Sequence, residues 1–188
     1  MKIYITEQTK NLNKHLDLLK SKSVMSYDKT KLIEKITINT KAKIENIDLQ
    51  FLFDYKIFPN KIMTYFTEWN VGKRKMKVGD TIVQQVYLPP IKSFSQKIIF
   101  GVRINEIIDE PFKKGFSYET LEGHVEKGIS TFTLEQNETE TVCKILTYSI
   151  PGNILTKLLG PIFSIPYQSF CTRSAMENIK YQIERTNA

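Results

Sequence analysis

The sequence predicts an α+β domain in which a long, curved antiparallel sheet wraps around a long C-terminal helix. Two observations support this fold class. Four runs rich in β-branched and aromatic residues follow one another between residues 81 and 150, and short turn-forming stretches separate them. Beyond them, the segment from about 168 to 184 carries apolar residues at helical spacing. The members of this stripe are Cys171, Ala175, Ile179 and Ile183.

The segments before residue 80 are shorter. Leu12, Leu16 and Leu19 stand at helical spacing within residues 8–22, which predicts an amphipathic helix packed at the edge of the domain. Alternating apolar residues from 36 to 44 predict a first strand. The aromatic stretch 47–69 is broken at Pro59-Asn60, so we expect two short helices there. We therefore divide the chain into an N-terminal helical extension, residues 1–30, and a single domain, residues 31–188.

The β-rich half indicates an antiparallel meander, because its connections are too short for crossovers. The longest run, residues 97–108, alternates between an apolar face and a wetter face. The apolar face holds Ile98, Phe100, Val102, Ile104 and Ile108. Pro151-Gly152 ends the sheet, and residues 153–159 predict a short helix before the terminal one.

Composition indicates a globular protein. The 188 residues are 41% hydrophobic and 25% charged, and no apolar run approaches the roughly 18 residues of a membrane-spanning helix. The first residues lack the apolar core of a secretory signal. The two cysteines, Cys143 and Cys171, have no metal-binding spacing and are too few for a disulfide scaffold. We expect a cytoplasmic protein with reduced thiols.

The net charge of +7 is concentrated in residues 1–77, which hold 16 basic and 8 acidic side chains. Such a half could face nucleic acid or an anionic membrane. Only four of the 27 basic residues are arginines, whereas nucleic-acid sites favour the planar guanidinium. We expect no nucleic-acid partner and at most weak contact with a membrane surface. A basic interaction protein remains an alternative function.

Residues 115–135 hold the candidate site. Glu122, His124 and Glu126 alternate, so an extended chain would place all three on one face. One histidine and two carboxylates without a nearby cysteine make a poor zinc site, and solvated charges at a turn are commoner. We therefore expect Glu122-Gly123-His124 to form a hairpin turn, with no metal and no cofactor. His124 as general acid or base is the alternative, with Tyr118 as hydrogen-bond donor to an oxyanion.

The same stretch resembles a known family. It follows the pattern GFxYxTLxGHxxxGxxxF, which is typical of a bacterial and plant family catalogued as domain of unknown function nineteen-ninety. The residues that match are Gly115, Phe116, Tyr118, Thr120, Leu121, Gly123, His124, Gly128 and Phe132. Weaker matches are Trp69, residues 78–80, Pro151, residues 160–161 and Gln168, so the resemblance covers about 45–184. The chain departs from the family at Glu119, Glu122 and Ile129-Ser130, where the family has small residues, proline and paired acids.

The resemblance implies a branch of the START-like, or helix-grip (SRPBCC-type), superfamily, whose members enclose hydrophobic ligands between the sheet and the C-terminal helix. We expect such a cavity here, of a few hundred Å³, binding a hydrophobic or amphipathic, lipid-like small molecule. The candidate ligand-binding residues are Trp69, Tyr118, His124, Gln168 and Arg173. The structural residues of the motif are Gly115, Phe116, Thr120, Leu121, Gly123 and Gly128. The resemblance implies no catalytic residue.

Overall fold

The structure is a computed structural model that describes residues 2–27, 32–89, 95–152 and 164–186. The side chains of residues 32–35, 164–166, 168 and 186 lie outside this description. The strands are β1 (Lys2–Tyr4), β2 (Leu32–Thr40), β3 (Met63–Thr67), β4 (Thr81–Leu88), β5 (Gln96–Glu110), β6 (Lys113–Thr120), β7 (Glu126–Gln136) and β8 (Thr141–Pro151). The helices are α1 (Leu12–Lys20), α2 (Gln50–Phe53), α3 (Glu68–Val71) and α4 (Ser164–Thr186).

One antiparallel sheet contains all eight strands, in the order β2-β8-β7-β6-β5-β4-β3. The eighth strand, β1, pairs with residues 97–99 of β5, and β6 pairs with the same edge of β5 from Val102 onward. The strands from β4 to β8 follow sequence order, as the short connections predict. The α+β class and the antiparallel meander are confirmed.

The main core lies between one face of the sheet, called here the inner face, and helices α2 and α4. Helix α4 packs against β2 and β8, and Ala175, Ile179 and Ile183 are buried there as the apolar stripe predicts. Near its start, the Tyr167 hydroxyl donates to the Tyr87 carbonyl oxygen of β4 at 2.5 Å. Helix α4 therefore reaches from β4 at one side of the sheet to β2 at the other. No helix among the described residues is long and apolar enough to cross a membrane.

The outer face of the sheet is covered by α1. Leu12 and Leu16 form a second cluster with Val83 and Ile99, as expected for an amphipathic helix packed on the domain. The Arg103 guanidinium, on the outer face of β5, donates to the Lys20 carbonyl at 2.9 Å and the Lys22 carbonyl at 3.0 Å. Free carbonyls at a helix C-terminus need such donors, so Arg103 fixes α1 to the sheet. The division between residues 1–30 and 31–188 stays a prediction.

The second helix predicted after Pro59-Asn60 is wrong. Residues Met63–Thr67 form β3, which pairs with β4, and only the single turn α3 follows. A short apolar run fits a strand as well as a helix, and pairing with the edge of β4 satisfies its backbone groups. Trp69 lies in α3 and is 1% exposed.

The predicted apolar face of β5 is correct as far as Ile104. A bulge between Ile104 and Glu106 then shifts the register by one residue. Beyond it, Ile107 packs against the main core, and Ile108 belongs to neither apolar cluster. An extra residue in one strand reverses the faces of all that follow, which explains the error for Ile108.

At the C-terminus the long helix is confirmed, and it begins at Ser164 rather than at about 168. Pro166 stands in the first turn, where its missing N–H has no helical acceptor to lose. The predicted short helix at 153–159 lies outside the described residues.

Candidate ligand-binding site on the inner face of the sheet

The family motif forms the turn between β6 and β7, as predicted. Gly123 adopts a φ of +87°, a left-handed conformation that glycine accepts without strain. Next to the turn, the Thr120 hydroxyl oxygen accepts a hydrogen bond from the Gly128 N–H at 2.9 Å. A Cβ on Gly128 would lie 2.0 Å from the Tyr148 carbonyl oxygen. Gly128 is thus required by close approach of β7 to β8.

His124 lies on the inner side of this turn. Its ring packs on Phe100 of the main core, with ring centroids 4.0 Å apart, and its Nδ1 is 3.0 Å from the backbone N of Glu126. Nδ1 is also 3.0 Å from the Glu126 carbonyl oxygen, so in one tautomer Nδ1 accepts from the backbone N–H and in the other it donates to the carbonyl. Burial lowers the pKa of His124 to about 3, so the ring is neutral near pH 7. Nε2 has no hydrogen-bonding partner within the described part of the chain.

A second polar group lies farther along the inner face. The Tyr118 hydroxyl lies near the polar side chains of Tyr55, Gln84 and Ser130, which affect its pKa. Gln84 Nε2 also donates to the Tyr55 hydroxyl at 2.5 Å, and the hydroxyl oxygens of Ser130 and Thr147 are 3.1 Å apart. Burial raises the pKa of both Tyr118 and Tyr55, so both phenols stay protonated. These side chains lie close together on β4, β6, β7 and β8 and in the loop after α2.

A carboxylate, that of Glu126, lies close enough to the second group to affect the pKa of Tyr118. The Ser149 hydroxyl donates to Glu126 Oε2 at 3.1 Å, next to the site where β7 leaves the turn. Burial is the largest cause of the raised pKa of Tyr118, and the negative charge of Glu126 raises this pKa further. Glu126 and Ser149 both have further interactions beyond this bond.

Exposure changes along the inner face. Phe116 and Phe132 are 0% and 2% exposed and stack at 5.3 Å. Toward the β6–β7 turn, Tyr118, Ser130 and His124 are only half-buried, although desolvation dominates the shifted pKa values of Tyr118 and His124. The inner face is therefore more fully covered at Phe116 and Phe132 than at Tyr118, Ser130 and His124.

The predicted site residues separate into two groups. Tyr118 and His124 both lie on the inner side of the β6–β7 hairpin. Trp69 is buried in the core, and its Nε1 finds no partner among the described residues. Arg173 is exposed on α4, and the Gln168 side chain lies outside the described residues. The assignment of these five to ligand binding stays a prediction.

Sequence reasoning missed Tyr55, Gln84 and Ser130. Gln84 and Gln85 are adjacent in the otherwise apolar strand β4, so one glutamine must lie on each face of the sheet. The sequence therefore indicated a buried polar side chain on the inner face. Tyr55 follows α2 in a loop with no periodicity that would predict its contacts. Its φ of +61° turns the ring into the core against Tyr65, with centroids 5.1 Å apart.

The described residues contain no group of three or more histidine, cysteine or acidic side chains that could hold a metal ion. Glu122 is exposed at the turn, apart from the inner side where His124 lies. The predicted absence of a metal and of a cofactor stays a prediction.

Solved structures with a similar fold include the following two proteins. A protein from Arthrobacter aurescens, solved by NMR, has a TM-score of 0.53 at 12% identity, covering 84% of this chain and 93% of that one. A hypothetical protein from Helicobacter pylori has a TM-score of 0.51 at 10% identity, covering 87% and 96%. At these identities the likeness concerns the fold alone.

Comparison with curated proteins gives no match. A family model matches residues 49–178, a span that includes the whole motif and most of α4. The chain belongs to the family described as Domain of unknown function (DUF1990).

Proposed function

We propose that this protein is a START-like helix-grip domain that binds a hydrophobic or amphipathic, lipid-like small molecule between the inner face of the sheet and α4. The observation that carries the proposal is His124. Its Nε2 has no partner in the described chain, and its ring packs on the apolar ring of Phe100. Half-buried polar atoms in folded proteins usually meet a ligand or an ordered water.

The surroundings of His124 suggest the chemistry of the ligand. Phe100, which packs on the His124 ring, supplies apolar surface on β5. Nε2 of His124 donates to or accepts from one polar group of the ligand, according to its tautomer, and the Tyr118–Ser130 hydroxyls add adaptable donors and acceptors. Pockets of this kind are mostly apolar with few polar groups, which matches an amphipathic molecule with one polar end. That end would lie toward the β6–β7 turn.

The alternative of an enzyme gives His124 a different task. A general base works best with a pKa near the working pH, and a pKa of about 3 makes His124 a weak base at pH 7. A neutral imidazole whose Nδ1 already contacts the Glu126 backbone is instead suited to form one hydrogen bond through Nε2. We therefore assign His124 a binding role.

The alternative of a basic interaction protein depends on free cations. Arg74 forms a paired ion contact with Asp80, with two N–O distances of 2.6 Å, and Arg103 holds the end of α1. Two of the four arginines are therefore engaged within the fold, which disfavours nucleic acid as the partner. We propose a cytoplasmic location, in keeping with the absence of a disulfide between Cys143 and Cys171.

A titration with the neutral apolar probe N-phenyl-1-naphthylamine tests the proposal. Ser130→Leu places a larger side chain on the inner face of β7, and Thr131→Leu makes a similar change one residue on, on the outer face. We expect saturable fluorescence enhancement with the wild-type protein and with Thr131→Leu, and at least tenfold weaker binding with Ser130→Leu. Equal binding by both variants, or none by the wild-type protein, would refute the assignment. Circular dichroism confirms that each variant is folded.

A further inference from the structure

A separate cleft of about 280 Å³ lies on the outer face, away from the proposed ligand site. It occupies the gap on the edge of β5 between β1 and β6, under the end of α1. The residues that define it are Lys2, His15, Leu19, Lys22, Ile99 and Glu122. Strand, helix and turn thus each contribute one wall.

His15 lies at the base of this cleft and is 7% exposed. The Tyr4 ring meets it edge-on, with centroids 5.6 Å apart. Neither ring nitrogen is hydrogen-bonded to any residue that the structure describes. The small accessible fraction of the ring therefore opens into the cleft, and a buried imidazole normally has a polar partner. Burial lowers the pKa of His15, and the charge of Lys2 lowers it further, so the ring is neutral and offers one N–H.

Two cations stand at the rim. Lys2 and Lys22 line the cleft, and neither forms an ion pair with a described carboxylate. Glu122 is the one acidic side chain in the lining, and it is exposed and likewise outside every ion pair between described residues. The excess charge of the lining is therefore positive. Leu19 and Ile99 complete the walls with apolar surface.

We propose that this cleft binds a small organic anion. Its carboxylate or phosphate group would lie between Lys2 and Lys22 and accept the His15 N–H, and a short apolar chain would lie on Leu19 and Ile99. The volume is at the lower limit of small-molecule sites, so the ligand has only a few carbon atoms. This second site is independent of the inner-face ligand, because the sheet separates the two.

Ring NMR signals of histidine test the proposal, since the chain has only two histidines, one beside each site. Hexanoate serves as the anionic probe and hexan-1-ol as the neutral control. We expect hexanoate to shift the His15 signals saturably, with a Kd of about 1 mM as is usual for so small a ligand, and hexan-1-ol to leave them unchanged. Hexanoate shifts confined to His124 would overturn this inference and leave the inner-face proposal standing.

Charge variants supply the second readout. Lys22→Gln and Lys2→Gln each remove one cation from the rim, and we expect each to weaken hexanoate binding by about fivefold, as for an exposed ion pair. Lys14→Gln changes an exposed lysine of α1 that does not line the cleft, and it leaves binding unchanged. Equal weakening by all three variants would show general charge attraction and overturn the site.

Discussion

Gly128→Ala tests whether the family motif is held by close backbone approach. The added Cβ would lie 2.0 Å from the Tyr148 carbonyl oxygen and 2.7 Å from the Ser149 Cα. Both atoms belong to β8, which pairs with β7 on both sides of this point. The clash therefore cannot be relieved by rotating a side chain, and β7 must move away from β8.

The expected loss follows from two effects. Overpacking in a tight region costs about 1–3 kcal/mol, and separation of the strands weakens the Gly128 N–H bond to Thr120, worth about 1 kcal/mol. Replacing glycine restricts the unfolded chain, which offsets about 0.4–1 kcal/mol. We expect a net destabilisation of about 2–3 kcal/mol. For a protein of this size, that lowers Tm by roughly 4–12 °C.

Thermal unfolding followed by circular dichroism and urea titration measure this change. Gly72→Ala is the matched control, because Gly72 has an ordinary φ of −76° and its Cβ would meet only the flexible Arg74 side chain, at 3.2 Å. We expect that variant to lie within about 0.5 kcal/mol of the wild-type protein. A Gly128→Ala protein as stable as Gly72→Ala would show that β7 and β8 tolerate the extra carbon, and the reasoning would fail.

Three further predictions concern other parts of the fold. Arg103→Gln removes the donors from the carbonyls at the end of α1, so we expect a loss of about 1–3 kcal/mol and faster hydrogen exchange in α1 than in β7. Burial lowers the pKa of His124 from 6.5 to about 3, so between these values the unfolded chain binds a proton that the folded chain does not. The free energy of unfolding should fall as pH drops through this range, by up to about 1.4 kcal/mol per pH unit, and urea titrations of His124→Gln should lack that contribution. Burial raises the pKa of Cys143 to about 12, so in a Cys171→Ser protein we expect thiol reagents at pH 8 to react only after unfolding; rapid reaction of the folded protein would contradict the burial of Cys143.

The meander and the terminal helix could be predicted from the sequence because each has a strong local signal. The strands from β4 to β8 are runs of eight or more residues rich in β-branched and aromatic side chains, and α4 carries its stripe through several turns. β3 could not be predicted in the same way. Its five residues fit a turn of helix as well as a strand. The pairing with β4, a separate segment of the chain, decides in favour of the strand.

The candidate site could be predicted only in part. The hairpin turn follows from Gly123 and its neighbours, since turn chemistry is local. The contact of His124 with Phe100, and of Tyr118 with Tyr55, depends on how far the sheet curls and on a loop residue with positive φ. Local sequence patterns predict neither the curvature of the sheet nor the conformation of that loop residue. The same limit applies to Ile108, because one extra residue at the bulge reverses the faces beyond it.

Native mass spectrometry of the protein purified gently from cells shows whether the inner face carries a ligand. We expect a discrete additional mass on the wild-type chain of 21.9 kDa, released by denaturation and reduced in Ser130→Leu but not in Thr131→Leu. The mass of the chain alone, unchanged after incubation with a mixture of small amphipathic molecules, would contradict the claim that the inner face holds a ligand.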